Sequence, residues 1–146
     1  MEKNYFKKVR ILDGGMGQQL LKKGLKSKGT LWSAGALLNK KNHHLVSDIH
    51  LSFIRAGADV IVTNNFTARK IRMRQNRVIK KFKYANEQAC KLAVMAKEKS
   101  KRNILIAGAL PSQRDTYVED KRKIKELEKD FDEQAKIISP YIDFFY

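Results

Sequence analysis

The chain reads as a parallel α/β domain, and three features of its sequence predict that class. Apolar segments beginning near residues 9, 59, 103 and 141 alternate with stretches of helical periodicity, the β-α-β-α-β-α-β order that right-handed parallel crossovers produce. The third apolar segment, Asn103-Ile104-Leu105-Ile106-Ala107-Gly108-Ala109, runs without polar alternation, which suits a strand covered on both faces. The first, Val9-Arg10-Ile11-Leu12-Asp13, ends in a carboxylate followed by Gly14, Gly15 and Gly17. That is a tight turn at the position where parallel sheets present their ligands.

Taken in order, residues 9–12 are expected to form a buried strand with Asp13 at its tip. The three glycines permit positive φ and let the backbone approach a ligand without a Cβ clash. From Gln18 to Leu25 the pattern is helical, with Leu20, Leu21 and Leu25 on one side. Leu31 to Leu38 reads as a short helix or packed loop, with Trp32 as a plug in the core. Between Asn42 and Ala56, Leu45, Val46, Ile49, Phe53 and Ile54 recur at the 3.6-residue period, and Gly57 stands where a glycine commonly ends such a helix. The second strand, residues 59–63, is β-branched and closes on Asn64-Asn65. A long helix from Val78 to Lys99 carries Phe82, Ala85, Ala89, Leu92 and Ala96. After the third strand come Leu110-Pro111-Ser112-Gln113, then a helix from Lys121 to Ile138 expected to bury Ile124, Leu127, Phe131, Ala135 and Ile138. Pro140 then restarts the chain into an apolar fourth strand, residues 141–146.

No repeat, low-complexity linker or domain boundary interrupts the 146 residues, so residues 1–146 are read as one domain. An apolar strand at the end of the chain, with nothing to pair it, leaves an edge prone to association. The expected architecture is therefore the N-terminal half of a parallel (β/α) barrel of TIM type, with about the first four βα units present, since a complete barrel has eight units and about 250 residues. A small four-stranded open sheet is the alternative.

Several function classes fail on the sequence. The phosphate-cradling motif G-x-x-x-x-G-K-[ST] is absent. The dinucleotide fingerprint fails because Leu20 follows Gly15-x-Gly17 and no Asp or Glu occurs between Asp13 and Asp48. No apolar run reaches the ~20 residues of a membrane span, and the charged stretch Met1–Lys8 has no apolar segment behind it to make a secretion signal. A lone cysteine, Cys90, precludes a disulfide framework and suits the cytoplasm; mid-helix among Ala89, Leu92 and Ala93, it reads as a buried structural thiol. His43, His44 and His50 lack metal-ligand spacing and read as helix-surface residues. The net charge of +16 and the basic stretch Arg69 to Arg77 raise nucleic-acid binding. However, the lysines are scattered over the whole chain and few aromatics interleave with them, so solvated helix faces account for the composition.

The strand tips carry a more specific signal. Residues 11–20 (Ile-Leu-Asp-Gly-Gly-Met-Gly-Gln-Gln-Leu) resemble the opening LDGGMGTQL of the homocysteine S-methyltransferase family, with Gln18 where that family usually has Thr. Leu31-Trp32-Ser33-Ala34 is similar to its LWSA segment, residues 53–66 (FIRAGADVIVTNNF) to its YIRAGADVIITNTF, and Ala107-Gly108-Ala109-Leu110-Pro111 to its third strand tip. The resemblance implies a (β/α)8 barrel that transfers a methyl group to the thiol of homocysteine, giving methionine. It implies betaine, S-methylmethionine or methyltetrahydrofolate as the methyl donor, and zinc, held by three cysteines, as the group that binds the substrate sulfur.

On this resemblance Asp13 binds the substrate ammonium group, with turn capping as its structural alternative. Gly14 and Gly15 supply backbone contacts or clearance. Thr63 and Asn64, with Asn65, either hydrogen-bond substrate or simply close the turn. The arginines from Arg69 to Arg77 either attract an acidic donor or form a solvated basic face. The family's zinc cysteines lie on later barrel strands, and its acidic residue after the fourth strand falls beyond Tyr146. No catalytic residue and no metal ligand are therefore assigned, no cofactor is expected for this chain, and it is expected to be an inactive, truncated fragment. Two other readings stay open: a non-catalytic half-barrel that self-associates through its exposed strand edges, and a basic nucleic-acid-binding module.

Overall fold

The computed structural model describes residues 4–27, 29–114 and 117–146; Met1–Lys3, the start of the charged N-terminal stretch, lie outside them. Three strands, β1 (Val60–Val62), β2 (Leu105–Gly108) and β3 (Phe144–Phe145), form a parallel sheet in chain order. Val60, Ile61 and Val62 pair with Leu105, Ile106 and Ala107, and Ala107 and Gly108 pair with Phe144 and Phe145. The first apolar segment joins the other side of β1 through a single parallel bridge, Leu12 to Val60. The buried first strand expected from sequence is thus corrected to an exposed edge, with Val9 95% and Ile11 59% accessible. It has a hydrogen-bonded neighbour on one side only, so apolar character alone does not bury it.

Two aspartates fix the strand register by the same device. The Asp59 backbone N–H donates to the Ile11 carbonyl (2.8 Å) while its carboxylate accepts from the Ile11 N–H (2.9 Å). Asp143 repeats this on Ile106, at 2.8 Å and 2.7 Å. Each carboxylate stands in for a ladder bond that a short parallel pairing lacks.

Five α-helices lie among the described residues, α1 (Met16–Lys22), α2 (His43–Arg55), α3 (Lys70–Gln75), α4 (Phe82–Ser100) and α5 (Ile124–Ile138), of which α2 packs on β1 and α4 on β2. The core forms where α2 meets α4: Val46, Ile49 and Ile54 from one and Ala85, Ala89, Leu92, Ala93 and Ala96 from the other are buried. The alanines let the α4 backbone approach closely. Gly57 ends α2 at φ +112°, and the Ala58 N–H returns to the Phe53 carbonyl (3.0 Å), a terminus in which a left-handed residue releases the chain into β1. Trp32–Leu38 winds as a 3-10 helix, one of the two forms expected for that segment.

Lys70–Gln75, which the sequence pattern does not mark as an element, is a short helix that ends before Arg77 in the left-handed region (φ +57°), and α4 starts at Phe82 and not at Val78. One expectation about the helices needs correction. In α5 the buried stripe is Asp130, Gln134 and Ile138, while Ile124 is 72% exposed. The helix turns a polar stripe inward because polar partners await it there.

Candidate functional site

A cavity of about 410 Å³ opens at the carboxyl ends of the strands, between Asp13–Gly17, the Trp32–Ser33 corner, Val62–Asn64, Phe66, Ala109, Pro111 and Tyr146. All five residues singled out in the sequence, Asp13, Gly14, Gly15, Thr63 and Asn64, line it. The glycines act through clearance and not through positive φ, which Gly14, Gly15 and Gly17 do not adopt. A Cβ on Gly14 would stand 2.8 Å from the Phe53 ring, and one on Gly17 2.9 Å from the indole of Trp32. Trp32 itself is 41% exposed and forms a cavity wall, which corrects its reading as a core plug.

Asp13 is the carboxylate of the cavity. Its side chain is 4% exposed, and Oδ2 accepts from the Val62 N–H at 3.0 Å. Burial pushes its carboxyl up to about 6, against the lowering effect of that backbone bond and of one from its own N–H. Below it lies His50, completely buried, with Nδ1 3.8 Å from Asp13 Oδ2. Burial lowers the imidazole to about 4, so near neutral pH a neutral ring faces an ionised carboxylate. The expectation of a helix-surface histidine fails for His50. The residue lies four positions from both Val46 and Ile54, on the apolar stripe of α2, and that spacing is the one sequence signal of its burial.

Thr63 and Asn64 face the cavity but also hold its walls. The Thr63 hydroxyl donates to Asn65 Oδ1 (2.7 Å) and accepts from the Ala109 N–H (3.0 Å), tying the tip of β1 to that of β2. Asn64 Nδ2 donates to the Ser33 carbonyl (3.1 Å). Behind them runs a buried amide network that no motif in the sequence marks. Asn65 Nδ2 donates to Asn86 Oδ1 (2.9 Å) and to the Ala109 carbonyl (3.0 Å). Gln134 Nε2 donates to the same Asn86 oxygen (2.9 Å), and Gln113 Nε2 donates to Gln134 Oε1 (2.6 Å). Asn86 and Gln134 share faces with apolar residues at three- and four-residue spacing, again the only sequence trace of their burial.

The basic stretch after β1 is not a solvated face at its start. Arg69 is 1% exposed and donates to the Ser112 carbonyl (2.6 Å). Lys70 pairs with Asp130 (2.8 Å) and Glu133 (2.5 Å). These contacts anchor the loops beyond β1 and β2 to α5.

The residues present do not fit a zinc centre. Among the described residues no three His, Cys, Asp or Glu side chains converge. Cys90 is fully buried on α4, where burial pushes its thiol up to about 12, the opposite of what a thiolate ligand requires. Among the described residues, too, no helix is long and apolar enough to cross a membrane.

A homocysteine S-methyltransferase family profile matches residues 10–146. Over 58 residues, 40% of the chain, the sequence is 38% identical to homocysteine S-methyltransferase 1 of Zea mays and to its namesake of Arabidopsis thaliana. Over 61 residues it is 34% identical to a selenocysteine methyltransferase of Astragalus bisulcatus. The fold resembles that of the homocysteine methyltransferase MmuM from Escherichia coli in its metallated form, with a TM-score of 0.79 at 20% identity over 98% of this chain. The matched stretches are 17–18% of those curated relatives, and the chain spans about half (55%) of the solved structure. The α/β class and the partial parallel barrel expected from sequence are thereby established, with the first strand reduced to a bridge.

Proposed function

The chain belongs to the homocysteine S-methyltransferase family, and from that premise we propose that its cavity binds homocysteine, the amino-acid substrate of methyl transfer, with Asp13 taking the ammonium group. The observation that carries this reading is the enclosed Asp13 carboxylate at the carboxyl end of a parallel sheet, set among apolar walls. An ammonium group placed there gains an ion pair in a low-dielectric setting. Trp32 and Phe66 offer apolar surface to the rest of a small ligand. Gly14 and Gly15 leave room for its backbone-like end, and Thr63 and Asn64 border it.

Methyl transfer to sulfur requires a thiolate, which zinc stabilises near neutral pH. This chain's single cysteine cannot form a three-thiolate set, so no step is derived through the metal. We read residues 1–146 as the N-terminal half of a (β/α)8 barrel domain that binds the amino acid without turning it over by itself. The family resemblance implies betaine, S-methylmethionine or methyltetrahydrofolate as the methyl donor. A cytoplasmic location suits the reduced, buried Cys90.

Titration of the reduced protein with L-homocysteine, followed by NMR and calorimetry, tests the reading. The expected result is perturbation of the Gly14, Gly15 and Asn64 amides and loss of binding in Asp13→Asn. A folded protein that shows no perturbation at millimolar ligand defeats it, and stoichiometric zinc together with turnover would overturn the inactivity.

A second reading, a self-associating half-barrel, is favoured by one observation. Val9 (95%), Ile11 (59%), Phe145 (46%) and Tyr146 (66%) expose apolar surface along the two open edges of the sheet. Light scattering across a concentration series tests it, and a monomer at all concentrations removes it.

A further inference from the structure

We propose that His50 is a positioning residue for this site: its imidazole, fixed beneath Asp13 by α2, is the group that holds the Asp13 carboxylate ionised and facing the cavity when an amino acid binds. The inference rests on the reading that Asp13 receives the ligand's ammonium group, and it concerns a residue that does not touch the ligand.

Three observations carry it. First, His50 is completely buried, yet among the described residues neither Nδ1 nor Nε2 has a hydrogen-bond partner. An apolar side chain at this point of the α2 stripe would fill the core without the penalty of two unmet ring nitrogens. Second, Nδ1 is directed at Asp13 Oδ2 across 3.8 Å, too long for a hydrogen bond but within the distance that site hydrogen bonds close when a ligand arrives. Third, Oδ2 is the oxygen already held by the Val62 N–H. Imidazole and backbone thus converge on the same carboxylate oxygen.

The surroundings isolate the pair. α2 packs against α1, α4, β1 and the 3-10 turns before it. Lys22 on α1 and Lys40 and Lys41 before α2 are exposed, β1 carries no titratable side chain, and Glu87 on α4 pairs with Lys83 and Lys91. The Cys90 thiol, the titratable group that α4 buries, stays protonated. On α2 itself Asp48, His44 and Arg55 are exposed, and His43 Nε2 meets the Leu37 carbonyl at 2.9 Å. Asp13 is therefore the charged group that His50 faces. A neutral imidazole in the Nδ1–H form stabilises the anion of Asp13. Removing it raises the carboxyl further and leaves less of the ligand-binding form near neutral pH.

The experiment follows the side-chain carboxyl ¹³C signal of Asp13 through a pH titration in the wild type, His50→Phe and His50→Asn, and measures L-homocysteine affinity against pH in the same proteins. Asn places an amide N–H close to the position of Nδ1. In His50→Phe the Asp13 midpoint is expected to rise by about half a pH unit or more, so that at pH 6 the ionised fraction, and with it the affinity, falls about twofold or more. In His50→Asn both return toward wild type. A midpoint in His50→Phe that coincides with wild type overturns the proposal, as does equal behaviour of the Phe and Asn variants. If His50→Phe fails to fold, the wild-type ring decides: ¹⁵N shifts of an Nδ1–H tautomer that move at the Asp13 midpoint support the proposal, and an Nε2–H tautomer indifferent to it sinks it. The carboxyl titration needs no ligand. A coupled Asp13–His50 pair in a protein that binds no homocysteine therefore rejects the substrate reading alone.

Discussion

Asp59, Asp143 and Asp13 each use a carboxylate to hold a backbone N–H on a neighbouring strand, but at opposite ends of the sheet the same contact has different consequences. At the amino ends, Asp59 and Asp143 accept from Ile11 and Ile106 while their own N–H groups bond the same residues. The Asp143 side chain is 30% exposed and lies 3.5 Å from Lys97. At the carboxyl end Asp13 accepts from Val62, but its side chain is 4% exposed and its nearest ionisable neighbour is a buried imidazole. Solvent and a lysine keep the first kind of latch a fastener. Enclosure turns the second into a group whose charge depends on its occupant.

The largest expected effect separates these roles. Asp13→Asn keeps an oxygen to accept from Val62 and loses the charge. Truncating one partner of a buried charge pair costs about 2–4 kcal/mol, so homocysteine affinity by calorimetry should fall roughly thirty- to a thousandfold. Thermal stability at pH 7.5 should hold or rise, because an ionised group no longer has to be buried. Unchanged affinity would make Asp13 another fastener and erase the distinction between the two ends.

Next in size is the network behind the cavity. Asn86→Leu leaves the amide groups of Asn65 and Gln134 without their shared acceptor and takes the side-chain donor from the Ala68 carbonyl. A loss of about 2–4 kcal/mol in urea unfolding is expected, since a buried polar group left unmet costs about 1–3 kcal/mol. A change near zero would mean that the amides at this end are no more binding than the latches at the other.

How much of this is legible in the sequence depends on whether a residue acts through its own chain or through a distant one. The order of elements, the Gly57 terminus and the cavity position of Asp13 follow from local pattern, and structure and sequence agree on them. The burial of His50, Asn86 and Gln134 does not, because polar residues on an apolar stripe look like imperfections until the partner element is in place. α5 makes the point most clearly. Its isoleucine and leucine spacing suggests one buried face, while the partners on α3 and α4 draw Asp130 and Gln134 inward instead. Strand 9–12 fails for a related reason, since hydrophobicity marks what should be covered and not whether a neighbour covers it.

A smaller effect is expected in the pH dependence of stability. Asp13 binds its proton more tightly folded (about 6) than at its ordinary value of 3.8, so its contribution is present in acid and is lost as pH rises through 6. His50 is the reverse, about 4 folded against 6.5, and its contribution is lost as pH falls from 6.5 toward 4. Between pH 6 and 4 one proton is bound in either state and the two contributions nearly cancel. The variants unmask them. From pH 7.5 to 5, Asp13→Asn should lose about 2 kcal/mol of stability and His50→Phe should gain about 1.4–2 kcal/mol, the upper figure if its Asp13 midpoint rises by half a unit, while the wild type changes less than either. These figures follow from about 1.4 kcal/mol for each tenfold change in proton affinity on folding. Parallel pH profiles for all three proteins would show that the two groups do not titrate as the geometry requires.

The smallest effect tests the other end of the comparison. In Asp143→Asn the amide oxygen still accepts from the Ile106 N–H, and the strand N–H to the Ile106 carbonyl is untouched. Only the charge assistance and a partly exposed contact with Lys97 disappear, a loss of about 0.5–1 kcal/mol in urea unfolding. Homocysteine affinity should not move, because the latch and the cavity lie at opposite ends of the sheet. Asp13→Asn should do the opposite on both counts. The two substitutions are chemically identical, so such a crossed pattern isolates environment as the cause: a carboxylate bonded to a strand becomes a binding group where the fold removes water from it and supplies no cation of its own.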